Sequence, residues 1–439
     1  MRQRRFFIHL LLLPLIISLA RPYLASAAPD FRVHLLEGTA GGGRETLLAA
    51  DIDKDGDVDF FTGENGGPTE WFENDPEGWK RHPVSDSADT YVGGVALDVD
   101  GDGWIDKAAG SFWYRNTGHP REGGFIACKD IAPSRPGEMQ AADLDGDGVQ
   151  DVISIDSTGL AWYSVPRDSA CLPWTEHKVT GSEADKLKRG GIAAGDLDGD
   201  GDADIASLDR WYENADGEGL AWIEHKNIDF GRADRDSVGV SGKALILDMD
   251  GDGKYDLLEA ECDTRKGRIA WFRNADGKGL LWERHIIEDS AMEQDFHSLA
   301  AADFNGDGHL DVFSIGGPAT PGIPLGFIWE NDDGKGLAWT RNIILEKKMG
   351  YEGVAADVDG DGDMDILLKP SSFAERYWLE NLRLDPAAIL PPGAKSGGSN
   401  GTALNGGPEG RFAPYQPRYR RLGRAYDAKG KTMGIQRLR

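Results

Sequence analysis

From about residue 45 to residue 382 the chain alternates short apolar runs with polar, glycine-rich turns, and no stretch of useful length keeps a helical period. The runs come in sets of four. A small apolar run such as GGIAAG precedes Asp196, DIAS follows the acids, WYEN carries aromatics and an asparagine, and WIEH closes the set after the turn ADGEG. Each run has the length of a strand and is bounded by strong turn residues. Each set therefore predicts four short antiparallel strands, here called A to D.

The turn between strands A and B keeps one spelling throughout. It reads DIDKDGDVD from Asp51, DVDGDGWID from Asp98, DLDGDGVQD from Asp143, DLDGDGDAD from Asp196, DMDGDGKYD from Asp248, DFNGDGHLD from Asp303 and DVDGDGDMD from Asp357, at spacings of 47, 45, 53, 52, 55 and 54 residues. Seven four-stranded repeats of that period predict an all-β, seven-bladed β-propeller over residues 28–385. Strand D recurs as WKRH, FIAC, WTEH, WIEH, WERH and WTRN, but none follows the last YWLENL; the missing copy is FRVHLL, Phe31 to Leu36. That segment is expected to supply the outer strand of the last blade and leave no open sheet edge in the ring.

The two ends read differently. MRQRR, the apolar run FFIHLLLLPLIISLA and the small residues Ala25 and Ala27 have the form of a secretory signal peptide over residues 1–27. The run is about fifteen residues, short of the ~20 needed to span a bilayer. Secretion follows as the expectation, to the extracellular space or to a periplasm, with no membrane span after cleavage and a monomeric product. Residues 386–439 are rich in glycine and proline, with ten Lys/Arg against two acids from Lys395 onward, and predict a basic, disordered tail. Three cysteines are too few for a disulfide framework; one pair among Cys128, Cys171 and Cys262 stays open. The net charge of −27 argues against nucleic acid as a partner.

That charge is concentrated in the A–B turns. Positions 1, 3, 5 and 9 supply side-chain oxygens: Asp51, Asp53, Asp55 and Asp59; Asp98, Asp100, Asp102 and Asp106; Asp143, Asp145, Asp147 and Asp151; Asp196, Asp198, Asp200 and Asp204; Asp248, Asp250, Asp252 and Asp256; Asp303, Asn305, Asp307 and Asp311; Asp357, Asp359, Asp361 and Asp365. The carbonyl of position 7 adds a fifth oxygen, and glycine at position 6 is expected because a Cβ would clash in the curled backbone. An EF-hand would need Glu at position 12 and flanking helices. Position 12 is Thr62, Ala109, Ser154, Ser207, Glu259, Ser314 and Leu368, and the flanks are strands, so the loop is of another type. All-oxygen donors select a hard cation, with calcium ahead of magnesium and up to seven ions per chain. Asn305 costs the sixth loop one charge.

These loops between strands resemble the FG-GAP or VCBS-type repeat family, related to the integrin α-subunit head, over residues 31 to 385. The resemblance implies a seven-bladed propeller with calcium in the A–B loops. The literal Phe-Gly…Gly-Ala-Pro spelling is only echoed, at Gly66-Gly67-Pro68 and Gly316-Gly317-Pro318.

A loop repeated on every blade is structural, because catalysis needs one asymmetric constellation. The strand-D histidines His34, His82, His177, His225 and His285 sit on outer strands of different blades and are expected to pack between blades. Convergence is expected at the ring axis, where strand A of each blade begins and the residues differ: Arg44, Glu45, Tyr91, Glu138, Arg189, Lys243, His297, Tyr351 and Glu352. Two functions fit. One is a calcium-binding adhesion module for an extracellular protein or glycan. The other is a carbohydrate-active enzyme, since some polysaccharide lyases and a sugar dehydratase resemble this repeat type. For a lyase, His297 or Tyr351 would act as base beside Arg189 or Lys243.

Overall fold

A computed structural model of the chain describes residues 30–383, apart from 37–44, 65–66, 87–92, 133–136, 157–158, 181–190, 231–240, 290–292 and 371–374. The segments expected to be a signal peptide and a basic tail, together with Arg44, Tyr91 and Arg189, lie outside the described residues. The rest forms seven four-stranded antiparallel sheets, with one short 3-10 turn, Pro120–Glu122. Blade 1 runs A to D as Glu45–Ala50, Asp59–Glu64, Thr69–Glu73 and Lys80–Ser85; blade 5 as Ser241–Leu247, Asp256–Cys262, Ile269–Asn274 and Trp282–Glu288. No helix among the described residues is long and apolar enough to cross a membrane.

The A strands of neighbouring blades touch one another and ring the axis. Blade 7 takes Glu352–Ala356, Asp365–Lys369 and Arg376–Asn381 from the C-terminal end of the ring and Phe31–Leu36 as its outer strand. The register runs from Phe31 opposite Asn381 to Leu36 opposite Arg376. Arg32 donates two 2.9 Å bonds to the Glu380 carboxylate, and His34 stacks on Trp378.

The core is not one cluster but seven, each spanning a seam between two blades. At the 1–2 seam Phe61 and Trp71 meet Ala96, Ile105 and Phe125; at the 5–6 seam Leu258 and Trp271 meet Phe296, Val312 and Phe327. Alternation explains this arrangement. Each sheet is covered on both faces, so strands B and C are almost wholly buried, while strand D is more exposed.

Blades 2 and 3 are also joined covalently, by a disulfide between Cys128 and Cys171. Cys262 is buried and lies outside that disulfide. The strand-C tryptophan of one blade also reaches the C–D turn of the next. Trp162, Trp211 and Trp271 donate Nε1–H to the carbonyls of Gly219, Gly279 and Gly336 at 2.9, 3.0 and 2.9 Å. A Cβ on Gly219 or Gly336 would stand 2.7 Å from the indole, and both glycines hold positive φ, which is why ADGEG and DDGKG end in glycine.

Candidate functional site

Each A–B loop folds around its own backbone. The position-9 aspartate accepts the N–H of position 2 in every blade, at 2.8–3.1 Å from Leu197 to Asp204 through Val358 to Asp365. Its other oxygen accepts the N–H of the asparagine that ends strand C, as Asn74 to Asp59 and Asn274 to Asp256, both at 2.9 Å. Position 1 accepts the position-6 N–H, as Gly148 to Asp143 at 3.0 Å. Position-6 glycine has φ between 86° and 102° in all seven loops. At Gly56, Gly148, Gly201, Gly253 and Gly308 an added Cβ would meet nothing within 4 Å. The left-handed φ, and not the expected clash, is what demands glycine there.

Some of the remaining carboxylate oxygens are left close together or buried without a partner. In the loops of blades 1 to 4, positions 1, 3 and 9 bring ligand oxygens within 4.8 Å of one another: Asp51, Asp53 and Asp59; Asp98, Asp100 and Asp106; Asp143, Asp145 and Asp151; Asp196, Asp198 and Asp204. Asp51 Oδ1, Asp143 Oδ1, Asp357 Oδ1 and Asp361 Oδ2 are buried and have no hydrogen-bond partner. Burial and neighbouring acids raise Asp53 to about 6 and Asp57 to about 7, although Arg121 beside Asp53 works against the rise. Burial raises position 9 to about 8 in Asp59 and Asp204 and to about 7 in Asp106, Asp151, Asp256, Asp311 and Asp365, against the pull of the N–H donors. A set of crowded, oxygen-only donors with unpartnered buried oxygens fits a hard divalent cation.

The strand-C asparagine has a second role that the sequence reading did not find. Its Nδ2 donates to the position-2 carbonyl of the preceding blade's loop: Asn74 to Val358, Asn116 to Ile52, Asn214 to Leu144, Asn274 to Leu197 and Asn381 to Phe304, at 2.7–3.1 Å. Blade 3 has Val165 in that place, and its seam with blade 2 is the one carrying the disulfide; in blade 6 Asn331 Nδ2 is buried without a hydrogen-bond partner. The repeated "aromatic-x-x-Asn" ending was the available signal.

The strand-D histidines lie on the sheet face that packs against the next blade, stacked on the strand-C indole of their own blade: His34 on Trp378, His82 on Trp71, His177 on Trp162, His225 on Trp211 and His285 on Trp271, with centroids 3.9–4.6 Å apart. The cause is register. His177 lies directly opposite Trp162 across the strand pair, so both point to the same face. His82 and His225 also meet Glu73 and Glu213 at 2.6 and 2.7 Å.

At the axis five of the nine candidates come together, Glu138, Lys243, His297, Tyr351 and Glu352. Lys243 of blade 5 reaches across to Glu138 of blade 3 at 3.2 Å and Glu352 of blade 7 at 2.8 Å. The other Glu138 oxygen accepts the N–H of Gly191, at the start of blade 4. Burial opposes the Lys243 charge, but the two carboxylates hold its pKa well above the ordinary value; at Glu352 burial wins over Lys243 and the pKa rises. The ring is therefore bridged by three mostly buried charges. Next to them His297 of blade 6, 5% exposed, stacks on Tyr351 at 4.0 Å, with Nε2 3.7 Å from Asp263 Oδ1 and Nδ1 without a hydrogen-bond partner. Lys243→Met leaves Glu138 and Glu352 facing each other without a counter-charge. It is expected to cost about 3 kcal/mol, the scale for breaking a buried ion pair, and Lys243→Met/Glu352→Gln should recover most of it. Urea melts of the two variants measure this directly; equal loss in both would show that the pairing is not what holds the axis.

Residues 143–207 and 248–314 match the FG-GAP-like repeat family. Each match runs from position 1 of one loop to position 12 of the next, taking in blades 3–4 and 5–6. Human T-cell immunomodulatory protein is 28% identical over 184 residues, 40% of this chain and 29% of that protein, so the chain spans less than a third of that relative's length. Among solved structures, an Agrocybe aegerita lectin that recognises non-reducing terminal N-acetylglucosamine aligns over 74% of each chain at 17% identity and a TM-score of 0.39. The Photorhabdus luminescens Tc holotoxin pore aligns over 80% of this chain and 14% of that one, at 15% identity and a TM-score of 0.37.

Proposed function

We propose that this chain, a seven-bladed propeller of FG-GAP-like repeats, is a secreted binding module whose A–B loops hold calcium and whose axial face meets an extracellular protein or glycan. The observation that carries the binding reading is the Lys243–Glu138–Glu352 bridge. Lys243, which a lyase would turn toward a substrate carboxylate, is already neutralised by its own protein, so the axis offers shape and hydrogen bonds more than reactive charge. Calcium is supported by the all-oxygen donors and by the unpartnered buried oxygens. It would neutralise carboxylates that otherwise repel one another, and so act as a structural clip on each blade. Secretion is supported by the N-terminal sequence and by the Cys128–Cys171 disulfide, a bond that persists in oxidising compartments.

A second reading rests on His297. A buried imidazole with one unpartnered nitrogen, stacked on Tyr351, has the make-up of a base awaiting a substrate proton. One screen separates the two readings. The full chain, with calcium present, is applied to immobilised polysaccharides and extracellular proteins, and bound partner and new unsaturated sugar ends are both measured. Binding without cleavage, weakened by Asp263→Asn at the exposed edge of the cluster, is the expected result. Appearance of unsaturated ends that His297→Ala abolishes would replace the module with a lyase.

A further inference from the structure

The seven loops share a spelling but not a neighbour. The residue before the strand-C asparagine position is Glu73, Glu213, Glu330 and Glu380 in blades 1, 4, 6 and 7, Ser164 in blade 3, and Arg115 and Arg273 in blades 2 and 5. In blade 2, Arg115 Nε donates to Asp100 Oδ2, and Nη2 lies 3.7 Å from Asp102 Oδ2. In blade 5, Arg273 Nε donates to Asp250 Oδ2 at 2.6 Å and Nη2 to Asp252 Oδ2 at 2.9 Å; Lys254 Nζ adds a bond to Asp252 Oδ2 at 3.0 Å. Both guanidiniums thus hold positions 3 and 5, the carboxylates a cation would need.

A second observation agrees in part. Unpartnered buried oxygens of the loop carboxylates belong to blades 1, 3 and 7, and Glu330 adds one beside the sixth loop; among the described residues the loops of blades 2, 4 and 5 show none, and of these three blade 4 carries Glu213 where the other two carry arginine. Glu330, 7% exposed, returns to the sixth loop the negative charge that Asn305 removes. In blade 1 the Glu73 carboxylate joins Asp53 and Asp55 as a possible ligand group. Arg121, from the turn Pro120–Glu122, also reaches Asp53 and Asp55 there, but its side chain is 44% exposed and hangs from a turn, free to give way to an ion. Arg115 and Arg273 are fixed on strands, and an arriving divalent ion would have to break their pairs and sit beside a guanidinium.

We infer that the loops of blades 2 and 5 are closed by their own arginines and take no divalent ion, whereas those of blades 1, 3, 4, 6 and 7 take one each. This rests on the calcium reading above, and refines it from seven ions to five. Native mass spectrometry of the full chain equilibrated with calcium counts the ions. Five are expected in the parent protein, six in Arg115→Ser, and four in Ser164→Arg, which copies the blade-2 arrangement into blade 3. The last variant keeps the test open if removing Arg115 prevents folding. Seven ions in the parent, or the same count in all three proteins, would overturn the inference and leave the calcium reading standing. No bound calcium at all would remove both.

Discussion

Removing divalent cations is expected to lower the melting temperature by on the order of 10 °C or more at pH 8, and by much less at pH 5.5. Each ion that binds only the folded state contributes about 2.7 kcal/mol at a hundredfold excess over its Kd, and several sites act together. The pH dependence comes from the position-9 carboxyls, raised by burial to about 7 or 8 in the ion-free protein. Unfolded, they titrate near 4. Between those values the folded ion-free chain holds more protons than the unfolded one. The stability these carboxyls contribute is fully present below about pH 4 and is lost as the pH rises through 7 to 8. Calcium acts in the opposite sense, because it needs the carboxylates ionised and replaces their protons. The calcium-dependent rise in melting temperature should therefore grow from pH 5.5 to pH 8. Calorimetry on desalted, EDTA-treated protein with and without added calcium measures it. Coincident melts at pH 8, or a rise largest in acid, would remove calcium from the loops.

Deleting Phe31–Leu36 is expected to be nearly as damaging, with a fall on the order of 10 °C. The strand pairs with Arg376–Asn381 over its whole length, and its loss would bare the edge of blade 7. Six residue pairs of ladder are lost, together with the Arg32–Glu380 ion pair and the His34–Trp378 stack. Leu36, 5% exposed, also leaves the cluster between blades 7 and 1 that includes Leu47, Phe60 and Leu367. At about 1 kcal/mol net for a backbone hydrogen bond, the ladder alone amounts to several kcal/mol. A His34→Ala substitution, which removes the stack but keeps the ladder, should cost only a small part of this. Scanning fluorimetry of both proteins is sufficient. A truncated chain that melts with the intact one would mean that blade 7 is complete with three strands.

Much of the architecture was legible because its signals are local. The four strands of a blade follow from short apolar runs and turn residues such as ADGKG, and the loop donors sit within nine consecutive residues, so their convergence needs only one turn of backbone. The positive φ at position 6 is equally local, although the reason given for glycine there had to change from crowding to dihedral angle. The histidines show where local reading stops. Trp-x-x-His placed them on the face between blades, but only the antiparallel register set each ring against the indole of its own blade. Which strand-C residue lies opposite which strand-D residue depends on loop length, and that is a weak signal in the sequence.

The sequence by itself determined the number of blades, the order of strands within each and the acidic A–B turn of every blade, because period-two alternation and turn chemistry act between neighbours in the chain. Only the tertiary structure decided what happens between blades. Lys243 and its two glutamates are 105 and 109 residues apart, and the asparagine latches join residues as distant as Asn74 and Val358. Closing the ring is what brings such groups within reach, whereas the arginines that fill two loops come from strand C of the same blade.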